Sequence, residues 1–232
     1  MKRIFVVMLA VILLISIPAS ATKAPDELLD DAVQALREIA EQPDAEHFRS
    51  VLRNTHGIAI FPSVIKAGFG LGGRYGEGVV FEYDASKGTW YGPYFVQLKG
   101  ISYGFQVGMQ TTSLVLVVTA EEGMRSLEEG KITLGGNLSV AAGPLGRSAE
   151  AGTNLNLDSI MYSYSISKGA FIGASLEGAA IDNSVNANQV YWHKELTPAE
   201  MLSRKASGKQ VGDLIQELDR IVHEGAEVKG EI

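Results

Sequence analysis

The sequence predicts an α+β fold: a single domain in which a glycine-rich, strongly curved antiparallel sheet, barrel or sandwich, is flanked by N- and C-terminal helices. Three observations carry that expectation. Positions 57–178 hold 22 of the 26 glycines. Those glycines stand among alternating aliphatic and aromatic residues, as in "GIAIFPSVIKAGFGLGGRYGEGVVFEYD" and "GISYGFQVGMQTTSLVLVVTA". Both ends of the chain instead repeat apolar residues every three or four positions, the spacing of one helix face. Glycine weakens a strand interior and marks bulges, sharp bends and close backbone approaches, so a flat sheet would not use so many.

Taken in order, the first helix lies within 22–54. Leu28, Leu29, Ala32, Val33, Leu36, Ile39 and Ala40 form its apolar stripe. Pro25 suits a first turn, and Asp26 and Glu27 suit its positive end. Pro43 interrupts it, a short second helix follows through Phe48, Val51 and Leu52, and Gly57 ends that helix. Strands are expected at 58–61, 67–75, 78–83, 91–98, 102–111 and 114–120, with a tight hairpin at Gly76-Glu77-Gly78. A short helix is expected over 121–130, then strands at 131–134, 138–142, 160–165 and 170–176. Thr197, Pro198 and Glu200 form a capping box, and a last helix runs near 210–223 on Val211, Leu214, Ile215, Leu218, Ile221 and Val222. No linker divides the chain, so one domain over 22–232 is expected, with a core of about 30–195 and a C-terminal helical segment of about 197–224.

The first 21 residues read as a signal peptide. Lys2 and Arg3 precede an apolar run over 4–17, and Ala19-Ser20-Ala21 matches a cleavage pattern. The expectation is an exported protein, periplasmic or otherwise associated with the envelope or secreted. The chain contains no cysteine, so stability must come from packing rather than disulfides. The formal net charge is −7, or about −9 without Lys2 and Arg3. That balance argues against nucleic acid, which is held mainly by Lys and Arg on phosphates.

Motifs for chemistry are weak. Gly68, Gly70 and Gly73 match G-x-G-x-x-G, but a dinucleotide loop needs a helix directly after it, and "RYGEGVVFEYD" is β-branched and aromatic. No H-E-x-x-H or G-x-S-x-G is present, and the four histidines show no ligand spacing. No catalytic residue, cofactor or metal site is expected. Gly100, Gly104 and Gly108 fall on one face of a strand, bare enough for a packing helix, the favoured reading, or a ligand. Trp90, Tyr91, Tyr94 and Phe95 suit either an apolar ligand contact or ordinary core packing. Lys66, Arg74, Arg147 and Lys168 lie in glycine-rich segments. Free turn amides beside cations would hold an anionic head group, and solvated turn charge is the other reading.

Three segments, "GIAIFPSVIKAGFGLGGRYGEGVV", "GGNLSVAAGPLGRSAEA" and "YSYSISKGAFIGASLEG", closely resemble the SYLF domain family, in the family's order and over about residues 30–195. The resemblance implies a bacterial exported member that binds a lipid or membrane surface without catalysis. An envelope protein partner is the second class of ligand. Two features depart from the family pattern. The helix matching its basic amphipathic segment has Arg37 as its only basic residue over 28–42, and Trp90-Tyr91-Gly92-Pro93 stands where the family shows Trp-Ser-Ala-Pro. Some fungal members also bind and bundle actin, but an exported protein would not meet actin, so that role is not carried over.

Overall fold

A computed structural model describes residues 23–43, 45–136, 138–143, 159–167, 170–172, 176 and 178–224. The signal-peptide expectation lies outside them. Helices α1 (Pro25–Ala40) and α2 (Glu46–Leu52) lead into two very long strands, β1 (Gly57–Asp84) and β2 (Thr89–Val118). After them come α3 (Glu121–Glu128), β3 (Lys131–Thr133), β4 (Val140–Ala142), β5 (Met161–Ser167), β6 (Ala170–Ile172) and β7 (Ala179–Asn183). Helices α4 (Val185–Trp192), α5 (Pro198–Leu202) and α6 (Lys209–Glu224) end the described chain. The expected α+β class holds. The sheet is mostly antiparallel, and among the described strands only β4 on β5 is parallel.

The architecture follows from one ribbon. β1 and β2 pair antiparallel along their whole length, from Gly57 opposite Val118 to Asp84 opposite Thr89. The turn is at 85–88, and the chain runs straight through Gly76-Glu77-Gly78 where a hairpin was expected. Glycine there serves a different purpose, because the ribbon is folded in half. The Tyr83 amide donates to the His56 carbonyl at 2.8 Å. A Cβ on Gly78 would sit 2.7 Å from the Ile60 carbonyl oxygen, and one on Gly76 would sit 3.0 Å from that of Ser63. Each of these approaches is centred on Phe69 and Gly70, where the register of β1 on β2 shifts between Phe69 opposite Val107 and Gly70 opposite Gly104. The extra residues on β2 form a bulge, which bends the bulged strand. A β-carbon at Gly76 or Gly78 would hold the two arms of β1 apart.

Once folded, the outer edge of β2 is used twice. Its first arm pairs with β7 from Val96 to Gly100, and its second pairs with β5 from Ser113 to Val118. Strand alternation then sorts the core onto two faces. One face carries Ile58, Ile60, Val79, Phe81, Phe95, Val115 and Val117 beneath α1, α2 and α6. The other carries Ala59, Phe61, Val80, Tyr94, Val96, Leu116 and Val118 against α3 and α5. The glycine face at 100, 104 and 108 differs from expectation. A Cβ on Gly100 would meet the Arg74 side chain and the Ala179 backbone, and one on Gly108 would meet nothing within 4 Å. No helix of the described residues lies on those two.

Helices α1 and α6 are joined by more than their apolar faces. Glu217 is 4 % exposed. It accepts from Arg37 Nε at 3.0 Å and from Arg220 Nε at 3.0 Å. Burial pushes its carboxyl up, but the hydrogen bonds from Arg220 and Arg37 outweigh that and hold it below the usual glutamate range. A lowered native pKa stabilises the fold above the unfolded value and is lost as pH falls through the native one.

Gly78→Val should lower the thermal midpoint by about 3–10 °C, because overpacking costs about 1–3 kcal/mol in a domain of this size. An unchanged midpoint in differential scanning calorimetry would show that the arms of β1 do not need the close approach. Glu217→Gln should lower the midpoint at pH 7, with the difference from wild type closing as pH falls through the lowered native pKa, beneath the usual glutamate range. A pH-independent difference would show that the carboxylate charge is not what matters.

Candidate binding surface

The folded ribbon leaves its middle outside the body of the domain. Around the fold at Phe69 and Gly70, β1 is flanked by the stretch of β2 between Gly100 and Ser113, which is the stretch that neither β7 nor β5 covers. The cross-strand pairs Ile65–Thr111, Ala67–Met109 and Gly73–Ile101 share one face. Its apolar members face solvent: Ile101 is 62 % exposed, Met109 76 % and Ile65 37 %. Three of the five exposed large hydrophobic residues among those described therefore stand on this tip. Single exposed apolar residues are ordinary on a protein surface, but a group of them marks an interaction site.

The opposite face of the tip carries the cations. Lys66 is opposite Gln110 and Arg74 opposite Gly100. Each is four residues from Gly70, one on either arm, and both are half-buried. Burial lowers the pKa of the Arg74 guanidinium, which nevertheless stays charged at any physiological pH. Of the four expected head-group cations, the fold thus brings Lys66 and Arg74 to the two arms of one tip. Arg147 and Lys168 lie outside the described residues.

The four aromatics do not gather at one surface. Trp90 is 5 % exposed and its ring is 4.7 Å from that of Tyr83. Tyr94 is on one core face and Phe95 on the other, because neighbours in a strand point oppositely. Burial also raises the Tyr94 phenol well above its usual range. Tyr91 alone is half-exposed, with the Lys87 ammonium 5.8 Å from its ring centre. Among the described residues no group of His, Cys, Asp or Glu is placed to hold a metal ion, and no helix is long and apolar enough to cross a membrane. The sequence reading did not single out Ile65, Ile101 or Met109. Their signal was the glycine density on both sides of residue 70.

Comparison with known proteins fits this fold into a family. Residues 99–221 match the family described as "Ysc84: Las17-binding protein actin regulator". The chain is 40 % identical over 166 residues to Protein YSC84 of Saccharomyces cerevisiae, covering 70 % of this chain and 35 % of that protein. It is 38 % identical over 167 residues to an SH3 domain-containing protein of Schizosaccharomyces pombe, covering 71 % and 38 %. It is 32 % identical over 220 residues to SH3 domain-containing YSC84-like protein 1 of Bos taurus, covering 89 % and 63 %. The chain spans about a third of the yeast relatives and under two thirds of the bovine one.

These relatives correct one expectation outright. They are proteins of yeasts and a mammal, two of the three named for SH3 domains, and the family description names actin regulation. A periplasmic or secreted setting is withdrawn on that finding, and with it the ground on which actin was set aside. The names are those of binding and regulatory proteins rather than of enzymes. The chain belongs to the Ysc84 family, whose SYLF domain its three glycine-rich motifs resemble.

Proposed function

We propose that this chain is a non-enzymatic binding module that engages a phospholipid surface through the tip of its folded ribbon. The observation that carries this reading is the exposure of Ile65, Ile101 and Met109 on one face of the tip, with Lys66 and Arg74 on the other. Apolar side chains that leave water for a lipid phase contribute roughly 1.5–3 kcal/mol each when fully buried. A cation near an anionic membrane adds about 1 kcal/mol. Together these offset the repulsion that a net charge of −7 brings to an anionic bilayer. Lys66, Arg74, Arg147 and Lys168 are the proposed head-group contacts. The apolar contact is assigned to Ile65, Ile101 and Met109, since Trp90, Tyr94 and Phe95 would have to leave the core to reach a ligand.

A second reading is favoured by one observation, the description of the family as Las17-binding and actin-regulating. In that reading the same tip docks on a protein. The absence of catalysis is part of both readings, supported by the relatives' names.

Co-sedimentation with phosphatidylserine-containing vesicles separates the two. Wild type should pellet, and Ile101→Ser/Met109→Ser should weaken binding about tenfold or more. The Arg147→Ala/Lys168→Ala pair should also weaken it. Equal pelleting of wild type and the tip variant would remove the tip from the site. Failure of wild type to pellet would favour the protein-partner reading.

A further inference from the structure

A second surface lies away from the tip, where the C-terminal segment crosses the start of β2. Tyr91 bridges antiparallel to Lys205. The Gly92 amide donates to the Arg204 carbonyl at 2.9 Å, and the Ala206 amide donates to that of Trp90 at 3.0 Å. Trp192 Nε1 donates to the Pro93 carbonyl at 3.1 Å. Four consecutive residues, 90–93, therefore anchor two separate pieces of the C-terminal region.

This anchoring sets cations over aromatic rings. The Arg204 guanidinium lies 5.5 Å from the Trp192 ring centre, and the Lys87 ammonium 5.8 Å from that of Tyr91. Trp192 in turn packs edge-on against Tyr191 at 5.1 Å. Lys205 and Lys194 are exposed beside them, and both Arg204 and Lys194 are near enough to Glu200 to lower its pKa, after its hydrogen bonds with Thr197. Arg204 Nε is buried with no hydrogen-bond partner among the described residues. Tyrosine, tryptophan and arginine are the residues enriched at the energetic centres of protein interfaces. A guanidinium over a ring can still offer its terminal N–H groups to a carboxylate. In a chain of net charge −7, a surface whose four cations outnumber the three carboxylates set among them favours an acidic ligand.

We propose that Lys87, Tyr91, Trp192, Lys194, Arg204 and Lys205 form a docking surface for an acidic segment of a partner protein. Arg204 takes a carboxylate, Lys87, Lys194 and Lys205 supply charge around it, and the exposed parts of Tyr91 and Trp192 take an apolar side chain next to it. A protein segment fits better than a bilayer. Asp84 on Lys87, Glu195 on Gln189 and the Glu200 capping carboxylate are interleaved with the cations. A continuous sheet of phosphates would meet all three, whereas an extended peptide can set its own carboxylates between them. This surface does not depend on the tip reading.

The test uses a fluorescein-labelled twelve-residue peptide of alternating Glu and Phe, read by fluorescence anisotropy. Wild type should bind it, more weakly at 300 mM than at 50 mM salt. Lys87→Glu/Lys205→Glu should weaken binding at least tenfold while its circular dichroism and thermal midpoint stay those of wild type. Arg204→Gln should also weaken it, and the tip variant Ile101→Ser/Met109→Ser should bind as wild type does. No binding by wild type, equal binding by the charge-reversed variant, or equal binding of a Gln and Phe control peptide would each overturn the proposal. Loss of vesicle pelleting in Lys87→Glu/Lys205→Glu, with no effect on the peptide, would assign the surface to the membrane instead.

Discussion

The structure depends on how closely one strand can lie beside itself. β1 is 28 residues long and β2 is 30, far longer than the usual 3–10 residues of a strand. A straight ribbon of that length would leave most of its faces in water. Folding it at Phe69 and Gly70 sets Ile60 beside Gly78 and Ser63 beside Gly76. That approach is closed to any residue with a β-carbon. The absence of a side chain at Gly76 and Gly78 thus does there what side-chain packing does elsewhere in the core.

The fold-back has two consequences that are usually separate. It stacks both arms into one curled sheet, so that alternation along each arm supplies two apolar faces, one under α1, α2 and α6 and the other against α3 and α5. It also produces a bend, and a bend in a two-stranded ribbon cannot be buried on every side. The arms are covered by β7 and β5, while the turn between them projects Ile101 and Met109 into water. Stability comes from the arms and the exposed apolar surface from the bend. A substitution at Gly78 and one at Ile101 should therefore affect different properties of the same ribbon.

Much of this was legible in the sequence. The stripe from Leu28 to Ala40 became α1, the Thr197–Glu200 capping box is present with both of its hydrogen bonds, and the last helix begins one residue from its expected start. The glycine density correctly indicated bent antiparallel strands. The hairpin expected at Gly76-Glu77-Gly78 was wrong because glycine has two uses in a strand. It can turn the chain, or it can let another strand come close, and the local pattern is the same for both. β7 and α4 went unread. β7 is short, and α4 has only Ala187 and Asn188 buried, too few to show a period. The exposed tip was hidden for a related reason: Ile101 and Met109 alternate like core residues, and only the fold decides which turns of that alternation are covered. Trp90, Tyr94 and Phe95 show the converse, since their composition suits a pocket and their places are in the core.

Hydrogen–deuterium exchange of the full chain, with and without phosphatidylserine-containing vesicles, addresses the central claim most directly. If the bend is the binding element, amides between residues 100 and 111 should exchange more slowly with vesicles present, while those of the covered arms, already slow, change little. Unchanged exchange across that stretch, with protection appearing elsewhere in the chain, would contradict the account.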